Sequence, residues 1–346
     1  MKNIVYPYSL KPGDVVGVTA PSSGIPPNLE ARLQFSVETV QGFGFHVRLG
    51  HCLRSAGIVS ASARDRAAEL AAMLLDDGIG AVVPPWGGEL LIDMLPLVDF
   101  ERLSKARPKW IVGYSDMSTL LMPFTMRTGI ATMHGSNFLE TPFRPDPALK
   151  HRREVVTLTA GDSFTQGAAT RYQTEWPRFE TDPHVRDWHV SQPAAWKWLG
   201  HETDTGASIS VSGRLLGGCV EVISMLPGTP YGDVERFARD YAPEGLLFYL
   251  EVCEEPAPGA CRMLHHMRLA GWFRHANAIL VGRTSAPSAK NFTQLDALVD
   301  ALGDLNIPVL YDMDIGHVPP QAILVNGVLA TVTFGRGRNT IVQKLV

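Results

Sequence analysis

Between Asp14 and about His134 the sequence alternates short runs rich in β-branched residues with amphipathic stretches, and that alternation leaves few folds open. The runs are VVGVT (15–19), FHVRL (45–49), GAVVP (80–84), KWIVGY (109–114) and IATMH (130–134). Short apolar runs of this kind suit strands buried on both faces, as in a parallel sheet. The stretches between them predict helices. Over Ser62–Asp77, Ala67, Leu70, Ala71 and Leu74 recur at i, i+3, i+4 and i+7, with Ser60 or Ser62 available as cap. Ser115–Arg127 follows its strand directly. Such strand–helix punctuation predicts an α/β domain over residues 1–145, with a doubly wound, mostly parallel sheet.

A chain of 346 residues exceeds the ~250–300 that one core usually holds, so a second domain is expected. Residues 146–205 are rich in Pro, charge and aromatics and carry four of the seven tryptophans, Trp176, Trp188, Trp196 and Trp198. This segment reads as the connection between domains. Its tryptophans either dock it onto them or wall a substrate site, because exposed Trp is costly without a partner. Residues 206–346 predict an α+β domain with a barrel-like sheet. Its signals are a Gly217–Gly218 turn opening a helix to Met225, strands GLLFYLEV (245–252), AILVGR (278–283) and IPVLYDM (307–313), and a helix around Arg262–Leu269. Asn326–Gly327 between ILV and VLATVTF predicts a hairpin with a type I′ turn.

A formal net charge of −4 offers no basic field to nucleic acid, and no polybasic stretch suggests a membrane surface. The N-terminal MKNIVYPYSLKPGDVVGV has no unbroken apolar core after its first Lys, and no run of ~18 apolar residues occurs, so a cytoplasmic location is expected. Cys52, Cys219, Cys253 and Cys261 form no C-x-x-C pair. Neither a zinc site nor a disulfide framework is therefore expected, and no metal or cofactor is called for.

Chemistry concentrates in four places. Trp110–Leu121 reads as a buried strand, then Gly113-Tyr114-Ser115-Asp116, then a helix. A serine at such a turn lifts its Oγ above the sheet, and the helix N-terminus favours developing negative charge, which suits a nucleophile. Met117 stands where G-x-S-x-G has its second Gly, and an N-cap serine is the competing reading. Val83–Leu90 leads another strand through a Gly pair, where Gly88 and the Asp116 amide are candidate oxyanion donors. A tight turn or a phosphate loop is the alternative, but G-x-G-x-x-G and G-x-x-x-x-G-K-[ST] are both absent. Trp86 and Glu89 of this loop, with Trp176 and Trp188, are candidate substrate contacts.

Glu251 ends an apolar strand, where a carboxylate needs a partner. His317 lies in the loop Asp312–Pro320, with Gly316 giving the backbone room. This imidazole is suited to take the proton of Ser115 under the orientation of Glu251. His134 is the reserve base or a support, Glu221 sits below the site, and Glu254 and Glu255 read as solvated. Arg214 and Arg283 are expected in structural ion pairs, with a substrate carboxylate as the other option.

Taken together, KPGDVVGVTAPSSG (11–24), ARDRAAELAAMLLDDGIGAVVPPWGG (63–88), VGYSDMSTLL (112–121), MHG (133–135), GRLLGGCVEVI (213–223), FYLE (248–251), ILVGR (279–283) and IPVLYDMDIGH (307–317) resemble the LD-carboxypeptidase family in order and spacing. The longer Trp-rich connection resembles the microcin-immunity branch more than the murein tetrapeptide branch. The resemblance implies a Ser115–Glu251–His317 triad between two domains, a homodimer and no metal. It also implies cleavage of an amide beside a free carboxylate, in a murein L,D-tetrapeptide or an aminoacyl-nucleotide. His134-Gly135-Ser136 stands where the family has His-Gly-Pro, a departure that bears on substrate. A non-catalytic binder of small molecules or anions on the same scaffold is the rival class.

Overall fold

Strands β1 (Val15–Val18), β2 (His46–Leu49), β3 (Ile79–Val83), β4 (Trp110–Gly113) and β5 (Thr132–His134) pair in parallel in the order β5-β4-β3-β1-β2. The computed structural model describes residues 2–55, 57–201, 206–335 and 337–346. β4 is buried along its whole length, as its apolar run requires. β2, by contrast, alternates exposed and half-buried residues and forms the sheet edge. Helices Glu30–Gly42, Ala63–Leu75 and Ser118–Thr128 connect these strands. Ser62 caps the second by accepting from the Asp65 amide, and Ala67, Leu70, Met73 and Leu74 are its buried face.

Two strands of the segment 146–201 join a second sheet. β6 (Ser163–Gly167) and β9 (Lys197–Trp198) are its outer strands, and β7 (Arg171–Tyr172) pairs with β8 (Gln192–Pro193) between them in sequence. The remaining strands are β10 (Ile209–Cys219), β11 (Leu246–Glu251), β12 (Ala276–Gly282), β13 (Val309–Met313), β14 (Leu324–Asn326), β15 (Leu329–Phe334) and β16 (Thr340–Lys344). All but β14 join the second sheet, in the order β6-β16-β15-β10-β11-β12-β13-β9. β10 to β13 run parallel, and the outer pairings are antiparallel. The sheet ends at β6 and β9, so among the described residues it is open rather than closed into a barrel. Trp196 is buried, and its indole N–H donates to Asp314 Oδ2 at 2.8 Å.

Two local expectations give way to tertiary structure. β10 runs through Gly217 and Gly218 to Cys219, and only one helical turn, Val220–Ile223, follows. The hairpin at Asn326–Gly327 does not form. β14 pairs antiparallel with β5 of the first sheet, whereas β15 pairs with β10 of the second. The turn has one positive φ, at Gly327 (+86°), with the Val328 amide donating to Val325 O at 3.2 Å, the pattern of a type II turn. Asn326 is buried here. Its Oδ1 accepts from Tyr249 OH at 2.8 Å and its Nδ2 donates to Thr132 Oγ1 at 3.1 Å, which ties β11 of one sheet to β5 of the other. Buried partners on separate sheets thus override the local turn signal. Among the described residues no helix is long and apolar enough to cross a membrane.

Candidate active site

β4 ends at Gly113, and a single 3-10 turn, Ser115–Met117, leads into helix Ser118–Thr128. Ser115 takes φ +63°. The other described non-glycine residues with positive φ are Asn291, Asn306 and Asp312, types that tolerate it, so Ser115 stands out as strained. Such strain costs about 1–3 kcal/mol and persists only where neighbours enforce it. The Asp116 side chain does so: it is buried and accepts from Ser22 Oγ, from the Leu91 amide at 2.9 Å and from Thr119 Oγ1 at 3.2 Å. Burial raises the Asp116 carboxyl pKa, and these hydrogen bonds act against that rise. The 86–88 loop passes directly over the serine. A Cβ at Gly87 would lie 2.6 Å from Ser115 Cβ and 2.8 Å from its Oγ, so only glycine fits there.

Glu251, the last residue of β11, is fully buried. Its Oε2 lies 2.7 Å from His317 Nδ1. Gly316 makes this approach possible: it has φ +87°, and a Cβ there would fall 2.6 Å from the Glu251 Cβ and Cδ. Burial would push the Glu251 carboxyl up, but the charge of His317 and its hydrogen bond overcome this and hold it well below the carboxylate range. Burial opposes charge on His317 as well. Glu251, joined by Cys253, nevertheless raises the imidazole well above its ordinary value. The other Glu251 oxygen has no hydrogen-bond partner among the described residues, and the buried His134 Nε2 stands 3.9 Å from it. His134 therefore backs Glu251 on the side away from His317.

The loops around this pair are held firmly. Glu221 Oε1 accepts from three successive amides, Cys253 at 2.8 Å, Glu254 at 3.0 Å and Glu255 at 3.1 Å. Arg283 forms a buried ion pair with Asp314, three residues before His317, and Arg214 pairs with Glu244. Both arginines are thus structural.

Ser115 and His317 line one cavity of about 360 Å³, and among the described residues no hydrogen bond joins them. Trp86, Gly88 and Trp176 are on its wall. Trp86 donates to Gly24 O at 3.0 Å, and Trp176 donates to the His317 carbonyl at 2.8 Å. Glu89 and Trp188 are not on that wall. Glu89 is exposed, and Trp188 spends its face on Phe143, stacked at 3.6 Å, behind Trp176 at 5.2 Å. Sequence reasoning missed Tyr114, Asn137, Glu140 and Phe179, which also line it, with Ser23, Gly87 and Leu139. Tyr114 alone carried a signal, as the neighbour of Ser115.

Two groups of side chains of metal-ligating type occur among the described residues. One is the Glu251–His317 pair with Cys219, whose thiol donates to Glu221 at 3.1 Å. The other, Cys261, His265 and Asp300, lies on the helices Ala257–Leu269 and Gln294–Leu302.

Residues 16–135 match the family model for the LD-carboxypeptidase N-terminal domain, and residues 212–332 match the model for its C-terminal domain. The chain belongs to the LD-carboxypeptidase family. It is 27% identical over 344 residues to the "Putative carboxypeptidase" of Vibrio cholerae, covering 96% of each chain. It is 25% identical to the "Probable murein peptide carboxypeptidase" of Bacillus subtilis, over 94% of this chain and 91% of that one. It is 23% identical to the "Microcin C7 self-immunity protein MccF" of Escherichia coli, over 96% and 94%. The fold is likewise similar to that of MccF in complex with glutamyl sulfamoyl guanosine, with TM-score 0.80, 20% identity and 98% of both chains covered. The parallel sheet carrying Ser115 and the second sheet carrying Glu251 are therefore this family's peptidase scaffold.

Proposed function

We propose that this LD-carboxypeptidase relative is a serine hydrolase in which Ser115, His317 and Glu251 form the triad. The observation that carries this reading is the 2.7 Å contact between His317 Nδ1 and the buried Glu251, on a cavity that a strained Ser115 also lines. Ser115 Oγ attacks the scissile carbonyl while His317 Nε2 takes its proton. Amides at Gly88 and Asp116 hold the oxyanion, and His317 returns the proton to the leaving amine. Water then attacks the acyl-enzyme with His317 again as base, which releases the acid and frees Ser115. The Ser115–His317 hydrogen bond forms as substrate closes the site, as often happens on going from a free to an occupied enzyme.

The substrate is an amide beside a free carboxylate, as in a murein L,D-tetrapeptide, or an aminoacyl-nucleotide. Trp86 and Trp176 on the cavity wall favour the second, because a nucleobase stacked on an aromatic ring gains about 1–3 kcal/mol. Incubation with an L,D-tetrapeptide and with an aminoacyl-sulfamoyl adenosine, followed by mass spectrometry, tests both. The open Ser115–His317 gap keeps a non-catalytic binder as the second reading. A serine-directed phosphonate separates the two: stoichiometric labelling at Ser115 supports the hydrolase, and none supports the binder. Sizing chromatography tests the homodimer that belongs to the same reading.

The glycine above Ser115 offers a sharper check. Gly87→Ala should displace the loop and slow phosphonate labelling by about 10²-fold, the usual cost of a misplacement near 1 Å. Undiminished labelling would remove the loop from the reaction. The tryptophans should separate as well. Trp176→Ala is expected to weaken turnover of the aminoacyl-nucleotide analogue by roughly 5–100-fold. Trp188→Ala, which undoes the stack on Phe143, should instead lower the melting temperature. Equal effects of both on turnover would return Trp176 to a packing role.

A further inference from the structure

Cys261, His265 and Asp300 converge between the helices Ala257–Leu269 and Gln294–Leu302, and none of the three lines the Ser115–His317 cavity. Cys261 and His265 stand four residues apart on the first helix, which puts them on one face. Asp300 meets them from the second helix. Its Oδ1 lies 2.6 Å from His265 Nε2 and 3.4 Å from Cys261 Sγ, and one ligand atom from each residue falls within 4.8 Å of the other two. The helices that carry them have rigid flanks. Leu264 and Met267 of one and Ala297 and Ala301 of the other are buried, and further along Arg268 pairs with Asp304 at 2.5 Å. Among the described residues His265 is the only ion-pair partner of Asp300.

A thiolate, an imidazole and a carboxylate are donors that zinc takes. Its bonds of about 2.3 Å to sulfur and about 2.0–2.2 Å to nitrogen and oxygen make a tetrahedron with edges of about 3.4–3.6 Å. The Cys261–Asp300 separation already fits. The His265–Asp300 separation has to open by about 1 Å at most, which two side chains 38% and 58% exposed can do. Cys261 is buried and fixes the sulfur corner, whereas the exposure of the other two leaves the fourth corner to water. A sulfur donor also selects against Mg²⁺ and Ca²⁺, which take oxygen ligands. Sequence reading looked for C-x-x-C, and this set is instead split between two helices, with Asp300 35 residues beyond His265.

We propose that Cys261, His265 and Asp300 bind one zinc ion, with water as the fourth ligand, as a clamp between these two helices. The Cys261 thiol gives its proton to solvent as the ion binds. The clamp acts on the helix pair and takes no part in chemistry at Ser115.

Calorimetry on the chain, stripped with a chelator and dialysed, tests this with Zn²⁺ and Mg²⁺ as probes. Zn²⁺ should bind at one ion per chain, and Mg²⁺ should not bind at the same concentrations. Co²⁺ in place of zinc should give a thiolate-to-metal charge-transfer band that Cys261→Ser removes. Cys261→Ser and His265→Gln should each weaken Zn²⁺ by more than about 10–100-fold, the loss that residues merely supporting a ligand cause. His265 is exposed, so His265→Gln keeps the test decisive if Cys261→Ser folds poorly. Zn²⁺ should also raise the melting temperature of the wild-type chain far more than that of His265→Gln. A cobalt band that survives Cys261→Ser but disappears in Cys219→Ser would put the ion on Cys219, Glu251 and His317 and overturn the proposal. No cobalt band, equal affinity for Mg²⁺, or unchanged Zn²⁺ affinity in His265→Gln overturns it as well.

Discussion

Ser115→Ala and His317→Ala should each lower amide cleavage by about 10⁴–10⁶-fold and leave the fold in place, because neither side chain belongs to the packed core. The double variant should be scarcely worse than either single one, since members of a triad act as a unit. Retention of more than about a tenth of the wild-type rate by either variant would remove that residue from the reaction. The strained backbone adds a second readout. Ser115→Gly relieves φ +63° and should raise stability by about 1–2 kcal/mol while abolishing cleavage, so stability and activity move in opposite directions at one atom's distance. A fall in melting temperature would mean that Ser115 is a structural serine after all.

Glu251→Gln keeps the shape of the side chain but removes its charge, and it should cost about 10⁴-fold in kcat, with pH as the discriminating measurement. In the wild-type protein Glu251 raises His317 well above its ordinary value, so the base form fills only as pH climbs through that raised value. Activity should therefore rise with pH beyond the range of free imidazole, and Glu251→Gln should move that limb to lower pH. An unmoved limb would separate Glu251 from the base.

The same pair sets an opposite trend in stability. The lowered Glu251 contributes above its unfolded pKa of about 4.3 and loses that contribution as pH falls through its folded value. The raised His317 contributes fully below about 6.5 and loses that contribution as pH rises through its folded value. Thermal melts should peak between about pH 4.3 and 6.5, on the acid side of the activity maximum.

Much of the fold was legible because its signals are local. Five β-branched runs alternating with helical stretches foretold the five parallel strands of the first sheet, and of the two serines available as cap, Ser60 and Ser62, the structure uses Ser62. The candidate residues Ser115, Glu251 and His317 drew notice for a related reason: each lies at the end of a strand or in the loop just beyond it. What sequence could not reveal depends on contacts across the molecule. Asn326–Gly327 has the right residues for a hairpin, but its strands find partners on different sheets. Trp176 and Trp188 look alike in sequence, yet one reaches the cavity and the other lies against Phe143. Glu140 sits among ordinary loop residues. Only the fold reveals that it is buried and faces a cavity.

The pairing of β14 with β5 has a consequence for how this chain is made. β5 leaves the ribosome well before the strand that covers it, which begins 190 residues further on (from His134 to Leu324). Until then the nascent first lobe presents an uncovered strand edge, the kind of surface that pairs with other chains or recruits a chaperone. A fragment that stops before Leu324 should therefore behave as an unfinished, association-prone lobe rather than as an autonomous module.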